Sequence, residues 1–427
     1  MAINPIVYTE KIVRSFLKYQ LSAYPFSDPR LHTQMRELLS VDKVRRTPLL
    51  RGPYISLSRG FREGATIQQL IGEEVFHPHM RQIIPAGITN VYGHQERAVR
   101  GVHAGQTTLV STGTGSGKTE CFLYPIISKC LQLKDAHAPA GISAVIVYPM
   151  NALAEDQLDR LRGLLAGSGI SFGMYVGKTP TNERDVAGHR MPAGSSKADY
   201  EAVLKTYRDA GRPDAVHPLE ETCSRERMRT PGSQPRILLT NVKQLELLLT
   251  RQVDVDLFAD ARLDFLVFDE AHTFSGTNGA ETACLIRRLR RFCGKNANQT
   301  TCVATSATIV DERDPDAARN FASRFFGVPA EAVLTVHEEY QEDAWSPNFT
   351  PPPPTIEPRN LLDKAVAAVD AENADTAIRD LYKHLVGKPL PGGDWKESLF
   401  DALRENQVAA QIRGSLLRPR ELYLLLS

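Results

Sequence analysis

The sequence predicts an α/β fold, a parallel sheet with helices on both faces, flanked by an N-terminal extension and a C-terminal helical segment. Three observations carry this. From about residue 90 to 330, short apolar runs alternate with helical patterns, which is how a sheet buried on both faces reads. One run leads straight into a glycine-rich stretch, "STGTGSGKTE" (111–120). Another ends in two adjacent carboxylates, "FLVFDEAHTF" (265–274).

The strand runs are "TTLVST" (107–112), "AVIVYP" (144–149), "RILLT" (236–240), "DFLVFD" (264–269) and "TCVATS" (301–306), all rich in β-branched residues. Each leads into a helical stretch such as "KTECFLYPIISKCLQL" or "ALAEDQLDRLRGLLAG". Residues 1–85 mix helical patterns with an extended Gly/Pro/Arg-rich piece and read as an extension packing on the core formed by 86–330. Residues 177–235 break the alternation and read as an insertion, with a helix expected at "KADYEAVLKTYRDAG". Residues 331–358 contain "TPPPPT", whose consecutive prolines favour an extended linker. Amphipathic helical patterns occupy 359–427.

Composition bounds the function classes. Apolar residues are 42% and charged residues 24%, ordinary for a soluble globular protein. With 51 Lys plus Arg against 50 Asp plus Glu, no global field attracts nucleic acid, so such a partner needs local basic groups. The six cysteines show no metal-ligand or disulfide spacing and read as reduced thiols of a cytoplasmic protein. No apolar run is long enough to span a membrane, and the start "MAINPIVYTEK" lacks a signal-peptide layout.

The loop between strand "TTLVST" and the following helix fits a phosphate site, because backbone N–H groups and the positive helix end converge there. Gly113, Thr114, Gly115, Ser116 and Gly117 form the cradle, with Gly115 and Gly117 allowing close backbone approach. Lys118 would bridge terminal phosphates and the Thr119 hydroxyl would bind Mg²⁺. The strict motif has glycine where this chain has Thr112, which the loop entry accommodates at an ordinary φ. The Lys118 side chain is expected to face solvent when no nucleotide is bound. The loop alone does not separate kinases, GTPases and motors; the acidic pair does. Asp269 suits the Mg²⁺ shell, and Glu270 suits orienting or deprotonating the attacking water. His272 lies close enough in sequence to touch the same place. Ser306 and Thr308 of "TSAT" (305–308) can bond to the Glu270 or His272 neighbourhood and relay nucleotide state, although a turn or helix cap is the commoner use of such residues. Upstream, the Gln95 amide offers the donor and acceptor an adenine edge requires.

In that order, Gln95, "TGTGSGKT", "YPMNALAEDQ", "LLTN", "DEAH" and "SAT" resemble the first RecA-like lobe of superfamily 2 helicases of the DEAD/DEAH type, over residues 85–330. In that superfamily a small residue often stands where Thr112 stands. More narrowly, "RGPYISLSRGFREG" and "ILLTNVKQLELLL" are similar to large bacterial DNA helicases of the mitomycin-repair type and to helicase subunits of DISARM and Druantia phage-defence systems. The resemblance implies an ATP-dependent helicase using ATP and Mg²⁺. Gln95 would recognise adenine, 113–119 the phosphates, and Asp269 with Glu270 the metal and water. His272, Ser306 and Thr308 would couple turnover to movement. Pro149 and Asn151, with Thr240 and Asn241, would touch the backbone of nucleic acid, DNA in preference to RNA, without reading bases.

The basic strip Arg287, Arg288 and Arg291 in "LIRRLRRF" (285–292) reads as a solvated face, with a lobe–lobe contact or phosphate track as the alternative. Past residue 330 no second strand–helix series is legible, so the second RecA-like lobe is expected to be truncated or to lie on another chain. The rival class is an ATP-dependent switch that clamps nucleic acid or a partner without turnover. A P-loop kinase is disfavoured, since nothing resembles an acceptor site or lid.

Overall fold

The structure, a computed structural model, describes residues 5–23, 27–39, 54–55, 59–212, 215–307, 316–341, 374–392, 395–416 and 420–421. The chain divides into two compact units, one formed by Met1–Arg59 with Glu342–Ser427 and the other by Gly60–Gln341.

In the first unit, described helices are α1 (Pro5–Ala23) and α2 (Pro29–Leu39), with three more at Ala374–Val386, Trp395–Glu405 and Gln407–Leu416. The strand β1 (Tyr54–Ile55) pairs antiparallel with Arg420–Glu421. The tetraproline stretch and the helical pattern at 360–373 lie outside the described residues.

The second unit opens with β2 (Glu63–Thr66), α3 (Ile67–Gly72), α4 (Met80–Ile83), β3 (Asn90–Tyr92) and α5 (Gly93–His103). Residues 60–85, grouped in sequence with the N-terminal extension, belong to this unit: Ile67, Leu70, Phe76 and Met80 are buried in its core. Then come β4 (Thr107–Ser111), α6 (Lys118–Asp135), β5 (Ala144–Tyr148), α7 (Asn151–Leu165) and β6 (Phe172–Met174). After the inserted segment follow β9 (Ile237–Asn241), α10 (Val242–Thr250), β10 (Phe265–Phe268), α11 (Gly276–Phe292), β11 (Thr301–Ser306), α12 (Ala317–Phe326) and β12 (Val333–His337). The insertion itself holds β7 (His189–Arg190), α8 (Lys197–Asp209), β8 (Val216–His217) and α9 (Arg225–Arg229).

Seven strands form one sheet in the order β12-β4-β11-β10-β5-β9-β6. Every pairing in it is parallel. Side chains alternate between the two faces along each strand. Ala144, Ile146 and Tyr148 enter the core beneath α5, α6 and α7, while Val145 and Val147 enter the opposite core with α10, α11 and α12. Phe265 and Val267 likewise oppose Leu266 and Phe268. This two-sided burial is why the strands read as continuous apolar runs.

Two strands of this sheet were not legible in sequence. The outermost, β6, has three residues, and β12 falls at 333–337, where the sequence reading places a linker. The correction has a packing reason: β12 pairs with β4 along its whole length, and Val333 and Val336 are buried on opposite faces.

The arginine-rich helix is not simply a solvated face. Arg287 donates to the carbonyls of Arg324 and Phe325, and buried Arg290 to that of Phe326. These are carbonyls at the C-terminus of α12, which lack intrahelical partners and favour cations. Arg288 pairs with Glu246 of α10. The insertion is anchored by Arg162 of α7, whose guanidinium holds both Glu221 oxygens at 2.7 Å. No described helix is long and apolar enough to cross a membrane.

Candidate active site

The phosphate-type loop links β4 to α6 at the C-terminal edge of the sheet, where ligands bind in parallel α/β folds. Gly115 (φ 81°) and Gly117 (φ 77°) both adopt left-handed backbone, which glycine enters without a Cβ penalty. Thr112 is not among the positive-φ residues. Its N–H donates to the Ser306 carbonyl at 3.1 Å, and its hydroxyl lies 2.7 Å from that of Ser116. The threonine at the motif's glycine position therefore braces the loop. Thr114 and Gly115 are exposed at its tip, and Thr119 is half-buried in the first turn of α6.

Lys118 departs from expectation. It is buried, with Nζ donating to the carbonyls of Thr112 and Gly113, both at 3.1 Å. Glu270 Oε1 stands 3.9 Å away. A bare ammonium so near a carboxylate and two carbonyls gains more from them than from water reached past the loop.

The acidic pair follows β10. Asp269 is fixed by its N–H bond to the Val147 carbonyl at 3.0 Å. Its carboxylate accepts the Thr305 hydroxyl, and that same Thr305 oxygen accepts the Glu270 N–H at 3.0 Å. Burial pushes the Asp269 carboxyl above its usual range; the Thr305 hydrogen bond opposes this and the Glu270 charge adds to it. Glu270 has φ 50° and ψ 48°, a left-handed conformation that non-glycine residues adopt at a cost. His272 Nδ1 lies 3.3 Å from Glu270 Oε2 and 3.4 Å from the Ser306 hydroxyl. Lys118, Asp269, Glu270, His272 and Ser306 are thus gathered in one place. Thr308 lies outside the described residues.

Gln95 is clamped to main chain at both ends of its amide. Oε1 accepts the Tyr92 N–H at 2.8 Å, and Nε2 donates to the Gly117 carbonyl at 3.0 Å. A Cβ on Gly117 would fall 2.3 Å from that nitrogen, so glycine is required there for the clamp as well as for φ.

Pro149, Asn151 and Asn241 meet at the same sheet edge, where Asn241 Nδ2 donates to Asn151 Oδ1 at 2.7 Å. Thr240 stands apart: its side chain is buried and its hydroxyl donates to the Tyr175 carbonyl at 2.8 Å.

Sequence reasoning missed Thr305, His94 and Glu338. Buried His94 sets Nε2 2.8 Å from the Ser116 carbonyl; burial lowers its pKa, so it is the neutral ring that donates. The Glu338 carboxylate accepts the Gly113 N–H and, at 2.7 Å, the Tyr340 hydroxyl. Only its place beside Gln95 hinted at His94, and Thr305 stands first in the hydroxyl-rich "TSAT"; Glu338 carried no local signal.

Residues 92–194 and 199–315, just over half of the chain, match the DEAD/DEAH box helicase family. The chain belongs to that family. Its sequence is 29% identical over 367 residues to the Druantia protein DruE of Escherichia coli (strain UMEA 4076-1), covering 68% of this chain and 20% of that protein. It is 26% identical over 292 residues to the uncharacterized ATP-dependent helicase YprA of Bacillus subtilis (strain 168), covering 66% and 30% respectively. Among solved structures, the DUF1998 helicase MrfA bound to DNA aligns over 78% of this chain and 38% of that one, at 20% identity and a TM-score of 0.45. The chain therefore spans 20% to 30% of the length of these two curated relatives.

Proposed function

We propose that the Gly60–Gln341 unit is the ATP-binding lobe of an ATP-dependent DNA helicase or translocase, hydrolysing ATP to move along nucleic acid. The observation that carries this is the Thr305 bridge, which fixes Asp269 and Glu270 relative to each other across the loop from Lys118.

The donor set fits Mg²⁺. Asp269 is a half-buried carboxylate whose one described side-chain partner is the Thr305 hydroxyl, and a hard cation prefers such oxygen ligands. Thr119 and Asp269 would hold the ion, which supplies neutralisation of phosphate charge when bound. The chain's own residues do the rest. Loop N–H groups of 113–119 seat the phosphates, and Lys118 exchanges Glu270 for a phosphate oxygen. Glu270 is then freed to orient the attacking water and accept its proton. His272 and Ser306, already within reach of Glu270, transmit the change. Pro149, Asn151 and Asn241 contact the nucleic-acid backbone. Thr240 contributes by fixing the loop, given its buried hydroxyl.

Transition-state charge in such reactions is commonly met by arginines from across the cleft, worth about 10³–10⁵ in rate. We assign that contribution to a second RecA-like lobe, in cis or on another chain. DNA as the strand rests on the sequence resemblance to bacterial DNA helicases. A cytoplasmic location is supported by six cysteines that form no disulfide.

The test is phosphate release with and without single-stranded DNA, using the chain completed by a second lobe. Glu270→Gln is expected to keep Mg-ATP binding and abolish DNA-stimulated release. Turnover unchanged in that variant removes Glu270 from its role. Absence of turnover in the unaltered, completed enzyme favours the switch without hydrolysis.

A further inference from the structure

The edge strand β12 runs parallel to β4 and ends with His337 opposite Ser111. The next residue, Glu338, therefore emerges beside the loop that leaves β4. Its carboxylate accepts the N–H of Gly113, the first of the cradle, and at 2.7 Å the hydroxyl of Tyr340. A Cβ on Gly113 would fall 2.8 Å from Glu338 Oε1, so the carboxylate lies directly against the glycine. Both of these described partners are neutral donors. The neighbouring Glu339, by contrast, is matched by the Arg62 guanidinium, whose Nε donates to it at 2.9 Å.

Residues 338–341 also close on 60–62 as a clasp. The Arg62 N–H donates to the Glu339 carbonyl at 2.8 Å, and the Gln341 N–H to the Gly60 carbonyl at 2.9 Å. Between them the Phe61 and Tyr340 rings stack with centroids 5.6 Å apart. Glu338 is the member of this clasp that reaches the loop. A phosphate seated in the cradle needs the same Gly113 N–H and carries charge of the same sign. One N–H cannot serve both anions fully, and held side by side they repel.

We infer that Glu338 is a built-in competitor for the phosphate cradle: its carboxylate holds the Gly113 N–H in the empty site, and a nucleotide phosphate displaces it and loosens the clasp. The inference rests on the nucleotide-site reading above and adds a route from the phosphates to the last residues of the Gly60–Gln341 unit. A contact made only in the empty state lowers nucleotide affinity by its own worth, because the ligand must first break it. The clasp loses one anchor when that happens, so its backbone hydrogen bonds open more often.

The experiment is calorimetric titration of the full chain with Mg-ATP, comparing wild type with Glu338→Ala and Glu338→Gln, alongside thermal melts of the nucleotide-free proteins. Glu338→Ala is expected to bind Mg-ATP about tenfold more tightly, the worth of one hydrogen bond to a charged group, without gaining stability when empty. Glu338→Gln loses the charge but keeps an oxygen for the N–H, so it falls between the two. A residue that merely propped the loop would lose affinity on removal. Hydrogen exchange read by mass spectrometry supplies the second measurement. Mg-ATP is expected to speed exchange at 338–341 in wild type, and Glu338→Ala to show faster exchange there before any nucleotide is added. Equal or weaker Mg-ATP binding by Glu338→Ala overturns the proposal, as does exchange at 338–341 that Mg-ATP leaves unchanged or slows in wild type. Either result leaves the nucleotide site standing. No Mg-ATP binding by any of the three proteins overturns the nucleotide-site reading and this inference with it.

Discussion

Lys118 Nζ and Glu270 Oε1 face each other at 3.9 Å, with the lysine held by two loop carbonyls. The loop's cation is thus shared between backbone and carboxylate. In the proposed function bound phosphate would change that balance, because a doubly charged oxygen group outcompetes both.

Lys118→Ala should therefore do two things. It removes most Mg-nucleotide affinity, and it takes from the Thr112 carbonyl its Lys118 donor, while the Gly113 carbonyl keeps the Ser116 hydroxyl, costing about 1–3 kcal/mol of stability. Titration with a fluorescent ATP analogue and urea denaturation read the two effects separately. Unchanged affinity would sink the phosphate assignment of the loop.

Asp269→Asn is expected to raise stability in the nucleotide-free protein at neutral pH. Burial, opposed by Thr305 and reinforced by Glu270, holds the folded carboxyl above its unfolded value. The stabilising contribution of such a group is complete below the ordinary carboxylate pKa and is lost as pH rises through the raised one. At neutral pH the charged side chain thus costs folding free energy that an amide avoids, and the advantage vanishes in acid. Thermal melts at both pH values check this, and Mg²⁺ dependence of ATP binding should weaken in the same variant. A variant less stable at neutral pH would contradict it.

Glu221 provides the opposite case. Burial pushes its carboxyl up, but hydrogen bonds from His217 and Arg162 outweigh this and hold it below the usual range. Its contribution is present above the ordinary carboxylate pKa and fades as pH falls through the depressed one. Removing either Arg162 or Glu221 alone should cost about 3–5 kcal/mol, whereas replacing both with apolar residues should cost far less. A double-mutant cycle by chemical denaturation measures the coupling, and additive losses would show the pair to be unimportant.

Nucleic-acid affinity of this chain should be weak, sequence-independent and salt-sensitive, because the proposed contact runs through a few backbone phosphates. Asn241 is the residue to vary. It caps α10 by accepting the Gln244 N–H at 2.7 Å while donating to Asn151. Asn241→Asp keeps the cap and adds charge beside the phosphates, so it should lower single-strand affinity with little loss of stability. Fluorescence anisotropy at two salt concentrations, alongside a thermal melt, decides it; equal binding would move the strand elsewhere.

The sequence alone determined the strand–helix alternation, the loop and the acidic pair, because each is written in consecutive residues. Two-sided burial leaves apolar runs, a phosphate cradle needs glycines at fixed offsets, and carboxylates at a strand end stay adjacent. Tertiary structure decided what depends on distant partners. The three-residue β6 and the edge strand β12 have too little apolar run to announce themselves, and pairing with a neighbour makes them strands. Thr305 reads as one more β-branched residue until the parallel register sets β11 beside β10 and brings its hydroxyl to Asp269, 36 positions away in the chain. Glu338 meets Gly113 across 225 positions by the same pairing of edge strand with β4. Lys118 looked solvent-facing because sequence shows a charged side chain at an open loop, but not the carbonyls and carboxylate that folding places around it. Local patterns fix which atoms can do the chemistry; the hydrogen-bond partners that aim them come from strands joined only in the folded sheet.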